Sequence, residues 1–174
     1  MKVIDHHRHT MRTKPGDHLS QSGVDLARRV GASMGPYDVV ITSTVARAFE
    51  TAIAMGFAVD EQWPVLGLQS VELLEEADWE GGCLEFVRAA RLGSPTARYL
   101  ARLAEMFQTL ARRVPEDANA LVISHGGIIE AATVACLADK DFSAWNASAG
   151  YCEGVRLHVV DGRFIDAEPL SIAI

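Results

Sequence analysis

The stretch Asp38-Val39-Val40-Ile41-Thr42 is apolar without alternation, and Leu121-Val122-Ile123 repeats that pattern far downstream. A strand with one wet face alternates apolar and polar side chains. A continuous apolar run needs both faces covered, which is the mark of a mainly parallel sheet with helices on each side. The rest of the chain supplies helices and strands in turn. Lys2 to His7 predicts a short strand leading into a polar loop that contains Pro15-Gly16. Ser20 is a natural cap for a helix carrying Val24, Leu26, Ala27, Val30, Gly31 and Met34 at helical spacing, stopped by Gly35-Pro36.

After the strand at 38–42, Ser43 or Thr44 is expected to cap a helix running to about Met55, ended by Gly56. Pro64 to Leu68 reads as a third, weaker strand, and Glu72 to Gly82 as an acidic loop. A short helix over Leu84 to Leu92 and a longer one over Thr96 to Val114 follow, then a strand at Ala120 to Ser124 and a helix at Gly127 to Ala138. Gly154 to Val160 and Arg163 to Ala167, joined by Asp161-Gly162, read as a closing hairpin. This alternation predicts an α/β fold: a three-layer α/β/α sandwich with a mostly parallel central sheet, whose ligand site lies outside the carboxyl ends of the strands.

Size and charge narrow the function classes. A chain of 174 residues is one domain by length, here 1–174. A net charge of −7 argues against a general nucleic-acid surface, so any basic site must be built locally from a few arginines. Cys83, Cys136 and Cys152 lack metal-ligand spacing and read as buried thiols of a reducing compartment. The first residues lack an apolar signal core, and no run approaches the roughly 18 apolar residues of a membrane span. A cytoplasmic location with no membrane partner is the expectation.

Three polar segments fall at the predicted carboxyl edge: Arg8-His9-Thr10, Thr42 through Ala52 with Arg47 one turn into its helix, and Ser124-His125-Gly126-Gly127. Two histidines and two arginines converging there would make a cationic cup for a phosphoryl group. Catalysis of phosphoryl transfer is largely positioning and charge stabilisation. Arginine donates to two oxygens at once and stays charged, while a neutral imidazole can attack phosphorus. A carboxylic acid must then protonate the leaving oxygen.

At these residues the chain resembles the histidine phosphatase superfamily, also called phosphoglycerate-mutase-like. Arg8-His9 matches its arginine-histidine-glycine motif, Ser43 through Ala52 its arginine-alanine-x-glutamate-threonine-alanine segment, and Ser124 to Gly127 its serine-histidine-glycine-glycine. Leu19-Ser20-Gln21-Ser22-Gly23 resembles its entry to the first helix. The resemblance implies a cofactor-independent phosphatase that hydrolyses phosphate monoesters, or a protein phosphohistidine, through a phosphohistidine intermediate. It implies His9 as nucleophile, His125 as second pocket histidine, and Arg8, Thr10, Arg47, His125 and Gly126 as substrate-binding residues. No metal or cofactor is implied, and the partner is a small phosphorylated substrate or a phosphoprotein.

The chain departs from the family pattern in three places. Thr10 replaces glycine and could add a hydroxyl contact; His6 and His7 stand where the strand is normally apolar; and the loop before Asp78-Trp79-Glu80-Gly81 is short. The resemblance makes Glu75 the first choice for the acid, with Glu72 and Glu76 as rivals. The short stretch between Gly81 and Thr96 leaves no room for the lid a mutase needs to keep water from a phosphohistidine. Two other readings stay open: a metal-dependent hydrolase using Asp5, His7 and His9, which alternation puts on one strand face, and a phosphate-binding regulator without turnover.

Overall fold

The computed structural model describes residues 2–172. In chain order the elements are β1 (Lys2–Arg8), α1 (Gln21–Gly31), β2 (Val39–Ser43), α2 (Ala46–Met55), β3 (Glu61–Trp63), α3 (Val71–Leu74), α4 (Cys83–Ala89), α5 (Pro95–Arg113), β4 (Ala120–Ser124), α6 (Ile128–Cys136), β5 (Gly154–Val160) and β6 (Arg163–Leu170). The six strands form one sheet in the order β3-β2-β4-β1-β5-β6. The pairs β3-β2, β2-β4 and β4-β1 are parallel, while β1-β5 and β5-β6 are antiparallel. The mostly parallel α/β sandwich predicted from the apolar runs is therefore the fold observed.

β4 shows why those runs have no alternation. Leu121 and Ile123 join Val40, Leu26, Ala27, Ala48 and Ala52 in a core under α1 and α2. Val122 points the other way, into a core with Ile4, Ile41, Leu103, Phe107 and Ile129 beneath α5 and α6. Each such side chain contributes about 1.5–3 kcal/mol by leaving water, so a polar residue at any of these positions is costly.

Local departures from the sequence reading have plain causes. The third strand is Glu61–Trp63, and Pro64–Leu66 forms a single 3-10 turn instead of a strand. Pro64 cannot donate to a ladder, and its fixed φ suits the first position of a helical turn. Ser20 caps α1 as expected, accepting from Gly23 N at 3.1 Å. The α2 cap differs: Val45 stands at the cap position with no side-chain bond. Ser43 instead faces the carboxyl edge, where its hydroxyl meets His125. Part of the acidic loop is helical, as α3, capped by Ser70.

Candidate active site

Register alone brings the motifs together. Arg8 on β1 stands opposite Ser124 on β4, and Ile123 on β4 opposite Thr42 on β2, so three neighbouring strands end at one rim. His9 N donates to Ser124 O at 2.9 Å, fastening the first histidine to the strand that delivers the second. The two imidazoles meet edge to face with centroids 5.1 Å apart.

Hydrogen bonds set the tautomer of His9. His9 Nδ1 lies 2.6 Å from Thr10 O, an acceptor, so Nδ1 carries the proton. The lone pair then sits on Nε2, which accepts from Arg47 Nε at 3.1 Å. Burial lowers the His9 pKa to about 4, against the raising effect of the Thr10 carbonyl and helped by the charges of Arg47, Arg8 and Arg12. His9 is thus a neutral imidazole at physiological pH with its free electron pair on Nε2. For His125, Nε2 shares a hydrogen bond of 2.9 Å with Ser43 Oγ, which also accepts from Val45 N at 3.3 Å. The other ring nitrogen, Nδ1, is buried with no partner among the described residues. Burial, then His9 and both arginines, lower the His125 pKa to about 3. The cup expected from two histidines and two arginines therefore draws its charge from the arginines, while both imidazoles are neutral.

Arg8 donates from Nη1 to Ala149 O at 2.8 Å and lies over the Tyr151 ring, 5.1 Å from its centroid. Its buried Nε has no partner among the described residues. Gly126 makes room for it: a Cβ there would stand 3.0 Å from the guanidinium carbon. Gly127 is required more strictly, because its φ is +81° and a Cβ would come within 2.3 Å of Trp79. Arg47 is held from outside by Asp17, 2.6 Å from Nη1.

Several expected residues do other work. The Thr10 hydroxyl does not open onto the cup: Thr10 is fully buried and its hydroxyl donates to Gly23 O at 3.0 Å. Its backbone N donates to Thr51 Oγ1, so Thr10 ties the loop to α1 and α2. Its small size and buried hydroxyl partner explain why it fits where glycine was expected. Among the acids, Glu76 accepts from Thr96 N and Oγ1 at 2.8 and 2.6 Å and caps α5. Those bonds hold its carboxyl below the usual range. Glu72 and Glu75 are exposed, and their carboxylates make no hydrogen bond among the described residues. The carboxylate of this loop that reaches the cup is Glu80, 3.9 Å from Arg8 Nη1 and bonded by Ser148 Oγ at 2.7 Å.

The Asp5-His7-His9 set is not assembled for a metal. Both Asp5 oxygens serve Arg156, at 2.7 and 2.9 Å, with Tyr37 adding a third bond. His7 Nδ1 is on Cys152 O and both His9 nitrogens are engaged. His6 faces the opposite side of β1, packs on Phe107, and places Nε2 2.6 Å from Ser124 Oγ, behind the rim.

Three contributors were not singled out from sequence. Glu130, buried on α6, accepts from Gly127 N at 2.6 Å and Ala149 N at 2.7 Å, fixing both loops that flank Arg8. Gly127 followed three residues later by glutamate is a helix-start signature that could have flagged it. Tyr151 and Asp17 carried no such signal.

The fold and rim define an α/β protein whose strand ends bring His9, His125, Arg8 and Arg47 together. Its sequence matches the model of the histidine phosphatase superfamily, branch 1, over residues 5–165, and the chain belongs to that superfamily. It is a histidine phosphatase by class. No curated protein matches the sequence. Among solved structures, the phosphoserine phosphatase of Entamoeba histolytica in complex with 3-phosphoglyceric acid superposes with a TM-score of 0.71 at 16% identity, covering 99% of this chain and 98% of that one. Mycobacterial glucosyl-3-phosphoglycerate phosphatase, solved with VO3, gives 0.66 at 19% identity, covering 99% and 100%. YhfR of Bacillus stearothermophilus gives 0.66 at 18%, covering 95% of each. Among the described residues no helix is long and apolar enough to cross a membrane.

Proposed function

We propose that the chain acts as one domain to hydrolyse small phosphate monoesters through a phosphohistidine on His9. The observation that carries this reading is the pairing of His9, whose proton is on Nδ1 and whose Nε2 lone pair faces Arg47, with a buried donor left unsatisfied, Arg8 Nε. A buried donor without a partner is costly, and a phosphoryl oxygen satisfies it.

In the first step a phosphoryl group enters between Arg8, Arg47 and His125. Arg47 exchanges its bond to His9 Nε2 for a charge-assisted bond to a phosphoryl oxygen. His9 Nε2 then attacks phosphorus, the bond to the ester oxygen breaks, and a carboxylic acid protonates the departing alkoxide. In the second step water attacks phosphorus and gives a proton to the carboxylate left by the first step, the N–P bond breaks, and phosphate leaves with His9 and the acid restored. Thr10 positions the nucleophile through its carbonyl, and Gly126 gives Arg8 its place.

Two carboxylates compete for the acid. Glu75 has the motif position, and Glu80 has the contact with Arg8. Hydrolysis is favoured over mutase chemistry because the wall after Gly81 carries just the seven-residue α4 before α5 begins. The names of the phosphoserine and glucosyl-3-phosphoglycerate phosphatases support small phosphorylated acids as the first substrates to try. A protein phosphohistidine belongs in the same panel, because the wall after Gly81 is short.

The test is turnover of such a panel together with trapping. A labelled substrate should leave acid-labile, base-stable phosphoryl label on the wild type and none on His9→Ala. Turnover by His9→Ala at the wild-type rate would overturn the mechanism, and binding of vanadate without turnover of any panel member would favour the regulator reading.

A further inference from the structure

A second concavity, of about 460 Å³, opens between α1, the end of β6 and the Asp5 side of β1, and the phosphoryl cup plays no part in it. Its floor is polar and buried. Asp5 and His7, 1% and 5% exposed, lie there with Tyr37 and Arg156. Arg156 and Tyr37 consume both oxygens of Asp5, so the carboxylate has little left to offer. His7 differs. Its Nδ1 is 2.8 Å from Cys152 O, which places the proton on Nδ1 and the lone pair on Nε2. Nε2 has no partner among the described residues. A buried histidine lining a cavity with one nitrogen pinned by the backbone and the other left over is a hydrogen-bond acceptor awaiting a donor.

The walls and rim limit what could supply that donor. Leu26, Val30, Met34 and Ile172 make the walls apolar. Arg29 stands in the last turn of α1, exposed and without an ion pair among the described residues. Its neighbour Arg28 is paired with Asp25. The site is therefore wide enough for a small organic molecule, apolar at the sides, acceptor-bearing at the floor and positive at the mouth.

We propose that this cavity is a binding site, separate from the phosphoryl cup, for a small organic anion that carries a hydroxyl or N–H group. The donor bonds His7 Nε2, the carbon skeleton packs on Leu26, Val30 and Met34, and the carboxylate or similar group faces Arg29. Cys152 links the two sites physically: its carbonyl holds His7, its N–H donates to Arg8 O at 3.1 Å, and the adjoining Tyr151 packs on His9.

The test uses the whole chain labelled with 15N-histidine and a panel of hydroxy- and amino-carboxylates at millimolar concentration: lactate, glycerate, serine and mandelate. Long-range 1H–15N correlation spectra separate the six histidines. At least one compound should move the His7 Nε2 resonance while those of His9 and His125 stay in place. Ser33→Trp, at the exposed mouth, should abolish the response. Arg29→Glu should weaken it about tenfold, the scale of losing and reversing one rim charge. Unchanged His9 and His125 signals report that both variants are folded. Failure of every compound to move His7, or a response that survives both variants at full strength, would overturn the proposal, and neither result bears on turnover at His9.

Discussion

The floor of the cup and its acidic wall are built in opposite ways. On the floor, His9 and His125 each have one nitrogen fixed by a strand-end neighbour, and their arginines come from β1 and the first turn of α2. On the wall, Glu72, Glu75 and Glu80 are exposed, and the loop is anchored by Trp79 on Phe86 and Gly127. The contrast shows what each half can supply. A nucleophile and charge clamp need sub-ångström placement and sit on rigid strand ends, whereas a proton donor works from a mobile or exposed side chain once the substrate is seated.

The largest expected effect tests the floor. His9→Ala should lower kcat/KM by about 10⁴-fold or more, the scale seen when a covalent nucleophile is removed. Circular dichroism should remain near wild type, because the ring lies at the rim, packed on His125 and Tyr151 and outside both apolar cores. Next is Arg47→Ala, expected to cost about 10²–10³-fold, as for loss of one preorganised donor to developing charge. Arg47→Lys should recover part of the affinity and little of the rate, since an ammonium lacks the planar fork with which a guanidinium donates to two phosphoryl oxygens. If Arg47→Ala were silent, the floor would not be the rigid half of the site.

The wall is tested by leaving group. An alkoxide needs a proton on departure and a nitrophenolate scarcely does. The residue acting as acid should, when changed to glutamine, lose about 100-fold on an alkyl phosphate and little on nitrophenyl phosphate, about 2.7 kcal/mol of transition-state stabilisation. Comparing Glu75→Gln with Glu80→Gln under this criterion assigns the role. Glu76→Gln should instead lower stability through the α5 cap, with the two substrates affected alike. Equal, mild effects at Glu75 and Glu80 would mean that the wall contributes no dedicated acid.

A smaller effect follows from the neutral state of the floor. The lowered His9 pKa, about 4, means that the lone pair is present at neutral pH and is lost as the pH falls through that value. Thus kcat/KM, which reports the free enzyme, should show no loss from His9 protonation between pH 7 and pH 5, then fall about tenfold per unit below pH 4. Stability moves the same way. His9, and His6 and His125 with pKa values lowered to about 3, bind protons more readily when unfolded. Their contribution is complete above the unfolded pKa near 6.5 and declines as the pH falls toward 4 and below. His6→Phe should flatten that decline in acid denaturation. An inflection of kcat/KM near 6.5 beyond the one that the substrate's own phosphate ionisation near pH 6 produces would show that His9 is not desolvated as the geometry requires.

Legibility followed the same division. The floor could be read because each of its residues terminates a strand or starts a helix, where apolar runs and glycines mark position in the chain. Arg8, His9, Arg47 and His125 all lie within a few residues of such a marker. The core was readable for the same reason, as Leu121 and Val122 facing opposite layers require. The wall has no periodicity to fix which glutamate turns inward, so motif position pointed to Glu75 while contact with Arg8 falls to Glu80. Thr10 misled because a hydroxyl beside a catalytic histidine suggests a ligand contact. Its direction was set by Gly23 in α1, a neighbour that spacing along β1 does not disclose.

The smallest expected effect lies where floor and wall meet solvent, at Asp17. Its carboxylate sits 2.6 Å from Arg47 Nη1, so in the empty site it competes with any incoming phosphoryl group for that guanidinium. Asp17 is 60% exposed on its side chain, which places the pair among surface ion pairs worth about 0.2–1 kcal/mol. Asp17→Asn should therefore tighten inhibition by inorganic phosphate or vanadate by about 1.4- to 5-fold. The gain should shrink as salt is raised, because screening already weakens an exposed pair. Looser binding in Asp17→Asn would show instead that Asp17 orients Arg47 for its task. In that case the arginine on the floor depends on the polar loop after β1, and the division between rigid floor and adaptable wall moves inward by one residue.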